Sequence, residues 1–323
     1  MLKTKDSWII RLELDGHVGF GECSLIAGLS PDDVEKLEET LGRLVDQPEQ
    51  LIPEIAKMDD LPSIQFGLET ALLDLENKED GLLFPSAFTS GKKGIQINGL
   101  IWMGTKSYMF DQIKQKCNSG FTCLKLKIGA IDFDDELALL SYIRQHFDAN
   151  QLELRVDANG AFLPEHAIDK LKRLSEFQIH SIEQPIKQGQ WNAMRELCKT
   201  TPIPIALDEE LIGIKTMEKK ISLLKTIRPH FVILKPSLVG GLAKSDEWIL
   251  LAEKLNIDWW ATSALESNIG LNAIAQWTAI KNIRLPQGLG TGQIFTNNIE
   301  SPLHLDGEQL YYSPNGKWTY TTL

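Results

Sequence analysis

No apolar run in the 323-residue chain approaches the roughly 20 residues that a membrane-spanning helix needs. The start, MLKTKDSWII, already reads as a strand and carries no signal-peptide core, so a cytoplasmic protein is expected. Positive charge is in deficit: 33 Lys and Arg stand against 44 Asp and Glu, a net −11. That balance argues against nucleic acid or an anionic membrane as a partner. Cysteine is scarce, and Cys23, Cys117, Cys123 and Cys198 are scattered without CxxC spacing, which predicts reduced thiols and no zinc site. The six histidines fit no ligand spacing. The GxGxxG fingerprint of a dinucleotide-binding doubly wound sheet is also missing. Hydrophobic residues, at 43%, are enough for an ordinary globular core.

What the chain does have is a row of charges, each closing an apolar run. Leu124-Lys125-Leu126-Lys127, Leu154-Arg155-Val156-Asp157, Ile182-Glu183, Ile205-Ala206-Leu207-Asp208 and Ile233-Leu234-Lys235 follow one another. Lys127, Asp157, Glu183, Asp208 and Lys235 are separated by 30, 26, 25 and 27 residues. One strand, one helix and two short loops fill such an interval, the βα unit of a parallel barrel. In that architecture the strand ends carry the chemistry.

The first 90 residues do not follow the repeat. Trp8, Ile10, Leu12 and Leu14 alternate, Asp15-Gly16 supplies a turn, and Val18 to Gly21 returns, a hairpin. Leu25 to Ser30 is small and apolar. Ser30-Pro31-Asp32-Asp33 predicts a helix start capped by Ser30, and a second helix begins near Pro62-Ser63. Glu69 and Asp74 within it are expected to satisfy backbone groups locally or in a neighbouring domain. Residues 1–90 therefore form a small α+β domain, 91–293 the alternating βα region, and 294–323 a tail with strand-like pieces at 310–312 and 318–320. Strands are expected at 95–101, at the five charged ends, at 257–263 and near 285–290, closing a (β/α) barrel.

Lys125 and Lys127 are two apart on a strand and share a face, so each is expected to lower the other's pKa. Lys127, nearer the strand end, is the candidate base, although a pair of lysines bridging nearby acids is the structural alternative. Acids ending three neighbouring apolar strands are costly unless paired or metal-bound. An oxygen-only set, Asp157, Glu183 and Asp208, points to Mg²⁺, with Mn²⁺ as a substitute. Asn159 adds an amide beside it, and Arg155 faces the same side, placed to hold an anionic substrate. Lys235 approaches from the face opposite Lys127. Opposed lysines with a metal between them describe proton abstraction next to a carboxylate. Thr262 to Ser267 and the glycine-rich Gly288 to Gly292 offer hydroxyl and backbone donors to a second anionic group. A Schiff-base lysine, as in a class I aldolase, and an inactive scaffold remain alternatives.

With these residues in view the chain resembles the enolase superfamily, in its muconate-lactonizing-enzyme branch. Lys125-Leu126-Lys127, Asp157, Glu183, Asp208 and Lys235 match that branch's KxK, Asp, Glu, Asp and Lys in order. The resemblance spans nearly the whole chain and implies a modified (β/α)7β TIM-like barrel with an N-terminal α+β cap completed by the C-terminal tail. It implies Lys127 and Lys235 as catalytic lysines, Asp157, Glu183 and Asp208 as metal ligands, and Lys125, Arg155, Asn159, Ser263 and Gly290 as substrate contacts. Leu25, Gly28 and Ser30 would belong to a lid. Gly21 to Ser30, Pro62 to Leu75, Thr262 to Gly270 and Gly288 to Gly292 resemble the branch's dehydratases of cyclic dicarboxylates, with N-acyl amino acid racemisation as the alternative. Branch members open with one more strand than is expected after Met1-Leu2-Lys3-Thr4.

Overall fold

A computed structural model describes residues 3–55, 57–78, 80–281 and 283–319. The chain opens with an antiparallel hairpin, β1 (Ser7–Leu14) and β2 (His17–Ser24), turning through Asp15 and Gly16 at positive φ. Three helices follow: α1 (Val34–Asp46), α2 (Pro48–Ile55) and α3 (Pro62–Asn77). The α1 cap is Asp33, which accepts from Lys36 N, and not Ser30. Ser30 Oγ is engaged instead by the amide of Ile26, inside the turn that precedes the helix. The expected single helix before Pro62 is two, broken near Gln47-Pro48, where proline restricts the preceding residue. Gly21 allows β2 to lie directly on α3: a Cβ there would meet Gly67 O at 1.7 Å.

The second region alternates as the spacing predicts. Its strands are β3 (Ile95–Gln96), β4 (Gly99–Ile101), β5 (Cys123–Lys127), β6 (Glu153–Asp157), β7 (Ser181–Glu183), β8 (Ile205–Leu207), β9 (Phe231–Leu234) and β10 (Asp258–Ala261). Between and after them run α4 (Lys106–Asn118), α5 (Phe133–His146), α6 (Pro164–Ser175), α7 (Trp191–Thr200), α8 (Met217–Ile227), the short α9 (Pro236–Val239), α10 (Leu242–Lys254) and α11 (Asn268–Ala279). Strands β4 to β10 form one parallel sheet in sequence order. The all-buried Phe231-Val232-Ile233-Leu234 shows why such strands read as unbroken apolar runs: both faces are covered. The expected strand at 285–290 reduces to two parallel bridges, Gln287 with Ile97 and Gly288 with Thr262. Pro286 and the glycines at 288 and 290 make poor ladder residues. Even so, Gly288 N donates to Ala261 O and Asn98 N donates to Gln287 O, so this segment ties both edges of the curved sheet. Ala206, Phe231, Ile233 and Trp260 form a separate small cluster.

The predicted strand at 95–101 is shared between sheets. Gly99–Ile101 joins the parallel sheet, whereas Ile95–Gln96 pairs with the tail hairpin β11 (Leu303–Asp306) and β12 (Gln309–Tyr312). The tail also reaches the first 90 residues, where Thr296 N donates to Lys3 O and the Trp318 ring lies against Gly81. The strand-like piece at 318–320 ends on Tyr320, outside the described residues, as do Met1 and Leu2.

Glu69 and Asp74 serve backbone groups. Asp74 accepts from Phe20 N and Gly81 N, both at 2.8 Å. Glu69 accepts from Leu242 N and Ala243 N, at the start of α10. Glu22, fully buried at the end of β2, accepts from Ser267 N and Gly270 N at the start of α11. A carboxylate at a helix start meets open N–H donors and the positive end of the dipole. All four cysteines are free, with Cys23 and Cys123 buried.

Candidate active site

Register sets the first three charges on one level, since Lys127 pairs with Asp157 and Asp157 with Glu183. Glu183 lies opposite Ala206, and Asp208 is two residues further on, hence on the same face. Lys235 follows β9 directly. Lys127 Nζ donates to Asp157 Oδ2 at 2.5 Å and to Asn159 Oδ1 at 2.9 Å. Lys125 Nζ lies between two acids, 2.9 Å from Asp157 Oδ2 and bonded to Glu183 Oε2. Lys235 Nζ is bonded to Asp208 Oδ2. Asn159, at φ 44°, donates through Nδ2 to Glu209 Oε1.

Such a buried cluster moves its protonation equilibria. Burial alone would lower Lys125, but Asp157 and Glu183 reverse that and raise it. The expected mutual depression of the two lysines is therefore not what governs Lys125: its acid neighbours are closer than Lys127's influence. Lys235 is raised in the same way, Asp208 and Glu183 overcoming burial. Asp157 is fully buried, yet Lys125 and Lys127 hold it well below the usual carboxylate range. Glu183 is pushed up to about 8 by burial and by the Asp157 charge. Asp208 is raised, burial outweighing the pull of Lys235.

Lys125, Lys127, Asn159 and Lys235 line one cavity of about 130 Å³. Its other walls are Thr262 to Leu265, Gly288, Gly290 and Thr291, with Leu100 of β4 and its flanking residues Asn98 and Trp102. Ile26 and Leu29, from the segment expected to be a lid, also line it. Leu25 packs on the apolar cluster of the first 90 residues, Gly28 supplies positive φ, and Ser30 ties the turn to Ile26 N. Ser263 is at the wall, but its hydroxyl donates to Glu266 Oε2 at 2.6 Å and accepts from Leu265 N. Arg155, expected to grip substrate, is turned to other work. It bonds Glu153 and the Pro286 carbonyl and lies 4.4 Å over the Trp260 ring. Arg155 stands level with Lys125 in the register, but its guanidinium is held by these partners and does not line the cavity.

A family description, enolase C-terminal domain-like, matches residues 109–308, and a second, MenC N-terminal domain, matches residues 1–75. The chain is 49% identical to the o-succinylbenzoate synthase of Desulfotalea psychrophila, covering 95% of this chain and 92% of that one. The chain belongs to the enolase superfamily. The crystal structure of MenC from Desulfotalea psychrophila superposes with a TM-score of 0.82 at 47% identity, covering 94% of each chain. The muconate lactonizing enzyme of Pseudomonas putida, at 22% identity and TM-score 0.80 over 98% of this chain and 97% of its own, shares the fold.

Within this enolase-superfamily site, sequence reasoning missed Glu209, Asn98, Leu100 and Trp102. Glu209 was signalled by its place beside Asp208 in an apolar context. The others sit in segments whose turns only the folded chain reveals. Among the described residues no three His, Cys, Asp or Glu side chains converge closely enough to ligate one ion. The lysines are the reason: Lys125 bridges Asp157 and Glu183, while Lys235 draws Asp208 aside. The donors nevertheless suit a hard cation. All are oxygens, Glu183 Oε1 and Glu209 Oε2 are buried without a partner among the described residues, and the four carboxyl groups of Asp157, Glu183, Asp208 and Glu209 stand together.

Proposed function

We infer that the chain acts as an o-succinylbenzoate synthase, a lyase of menaquinone biosynthesis. It would convert 2-succinyl-6-hydroxy-2,4-cyclohexadiene-1-carboxylate to 2-succinylbenzoate by syn-dehydration. The carrying observation is that Lys127 and Lys235 line the same cavity, on strands held apart by β6, β7 and β8 and their acids. Lys127, as the free amine, takes the proton next to the ring carboxylate, and that bonding pair moves into the carboxylate as an enediolate. The ammonium of Lys235 stabilises the added charge from the other face. Lys127, now an ammonium, returns its proton to the departing hydroxyl as the C–O bond breaks, so water leaves and the ring becomes aromatic.

Asp157, Glu183 and Asp208 would hold a divalent cation, Mg²⁺ or Mn²⁺, which when bound supplies positive charge to the reacting carboxylate. The same reading takes the β4–β10 sheet, joined through 286–288, as a modified (β/α)7β barrel. The partner is a soluble dicarboxylate, consistent with a net charge of −11 that disfavours nucleic acid or anionic membrane, and the expected compartment is the cytoplasm.

Racemisation of an N-acyl amino acid is the competing use of two facing lysines, and epimerisation of a dipeptide is a variant of it. Among the described residues lining the cavity there is no Asp or Glu to pair with a free ammonium, whereas three lysines face a dianion. The deciding experiment runs a spectrophotometric dehydration assay beside polarimetric racemisation of N-succinyl amino acids. A kcat/KM more than tenfold higher for racemisation would overturn the assignment.

A further inference from the structure

Lys5 lies far from the charged row in sequence, yet it is half-buried where the start of the chain meets residues 264–265. Its Nζ bonds Ser24 Oγ, the Leu265 carbonyl at 2.8 Å and the Ala264 carbonyl at 3.3 Å. Ser24 ends β2 and is the last residue before the lid segment, whose Ile26 and Leu29 line the cavity. Ala264 and Leu265 form the cavity wall after β10.

Leu265 holds φ at +60°, a conformation that a leucine adopts only when its surroundings impose it. Two contacts hold it: Ser263 Oγ accepts from the Leu265 amide, and Lys5 Nζ donates to the Leu265 carbonyl. The Leu265 side chain lines both the catalytic cavity and an outer apolar groove shared with Trp102, Tyr108, Ile294 and Phe295. The Lys5 ammonium is thus a single tie between the root of the lid and the partition of the cavity. Its main chain is held in turn by Asn297, which donates to Lys5 O at 2.9 Å.

We propose that Lys5 is a positioning residue for the substrate site, acting through Leu265 and Ser24 on the wall and lid of the cavity. It touches neither the base nor the acids, so its loss loosens substrate binding and leaves the proton-transfer step intact. This rests on the reading of the cavity as the substrate site, and one arm of the test is independent of any activity.

Three proteins are compared with wild type. Lys5→Met keeps the length and removes the donors. Lys5→Arg keeps charge and donors. Glu69→Gln weakens a contact between the first 90 residues and α10, remote from the cavity. In the dehydration assay, Lys5→Met is expected to raise KM by about tenfold with kcat within about threefold, and Lys5→Arg to recover part of that rise. Glu69→Gln is expected to lower the melting temperature with KM within twofold. In amide hydrogen exchange, Lys5→Met is expected to speed exchange at least tenfold in peptides covering 24–31 and 263–267, with 153–160 unchanged. Unchanged exchange in both peptides overturns the proposal, whatever the substrate proves to be. Faster exchange with KM within twofold of wild type overturns the role in substrate binding. Absence of dehydration in wild type with the exchange result intact overturns the assigned reaction alone.

Discussion

Replacing Lys125 by Met separates the ionic architecture of the site from its chemistry. The ammonium is buried, and its loss leaves Asp157 and Glu183 facing each other with only Lys127 on the Asp157 side. Removing one partner of a buried ion pair costs about 3–5 kcal/mol, because the other charge stays desolvated. At about 2.1 cal/mol/K per residue, 323 residues give a melting entropy of roughly 0.7 kcal/mol/K, so that cost lowers Tm by about 4–7 °C. A cation bound only by the folded chain restores about 2.7 kcal/mol at one hundred times its Kd. Because it would take the place of the lost ammonium between the two acids, Mg²⁺ is expected to stabilise the variant more than the wild type. Differential scanning calorimetry at pH 7.5, first in EDTA and then with Mg²⁺, reads both quantities. A Tm drop under 1 °C in EDTA would show that the acids do not depend on Lys125. A Mg²⁺ increment no larger in the variant than in wild type would show that the cation does not enter between them.

Lys127→Ala and Lys235→Ala should each lower kcat at least about 10³-fold with the circular dichroism spectrum unchanged; a loss below tenfold in both would place the chemistry elsewhere. Asp208→Asn should weaken Mg²⁺ binding in isothermal titration, and a wild-type Kd would make this acid structural. Burial raises Asp74 from the usual carboxylate range to about 6, so the folded chain holds that proton more tightly than the unfolded one. Its contribution is complete below about pH 4 and is lost as pH rises through 6, a gap worth about 3 kcal/mol. Urea unfolding between those pH values should show a shallower decline in Asp74→Asn, and equal slopes would contradict it.

The charged row was legible because a parallel strand buried on both faces leaves its terminal charge conspicuous at the end of an apolar run, as at Asp157 and Lys235. The βα interval made their order around the sheet legible too. Which ammonium meets which carboxylate was not, since alternation says only that Lys125 and Lys127 share a face. The same limit applies to Arg155: facing inward does not tell whether a side chain reaches the cavity or the Pro286 carbonyl beneath it. Ser30 misled as a cap because four residues of turn geometry, not local preference, direct its hydroxyl to Ile26 N. Lys5 carried no periodic signal, and only the folded chain brings it to residues 24 and 265.

The N-cap of helix α10 is Gly241, which has no side chain to serve as one, and the first amides of the helix donate to Glu69 of α3. The first amides of α11 are received in part by Glu22 of β2. Two helices of the alternating βα region are therefore finished by atoms from the first 90 residues. A first region grafted from a relative would have to deliver an acid to both addresses, or the recipient would begin two helices with bare donors. In a gene-shuffling experiment, the first 90 residues and the alternating βα region should accordingly behave as one heritable unit: chimeras that keep both acids fold, and those that drop them are lost before their activity can be sampled.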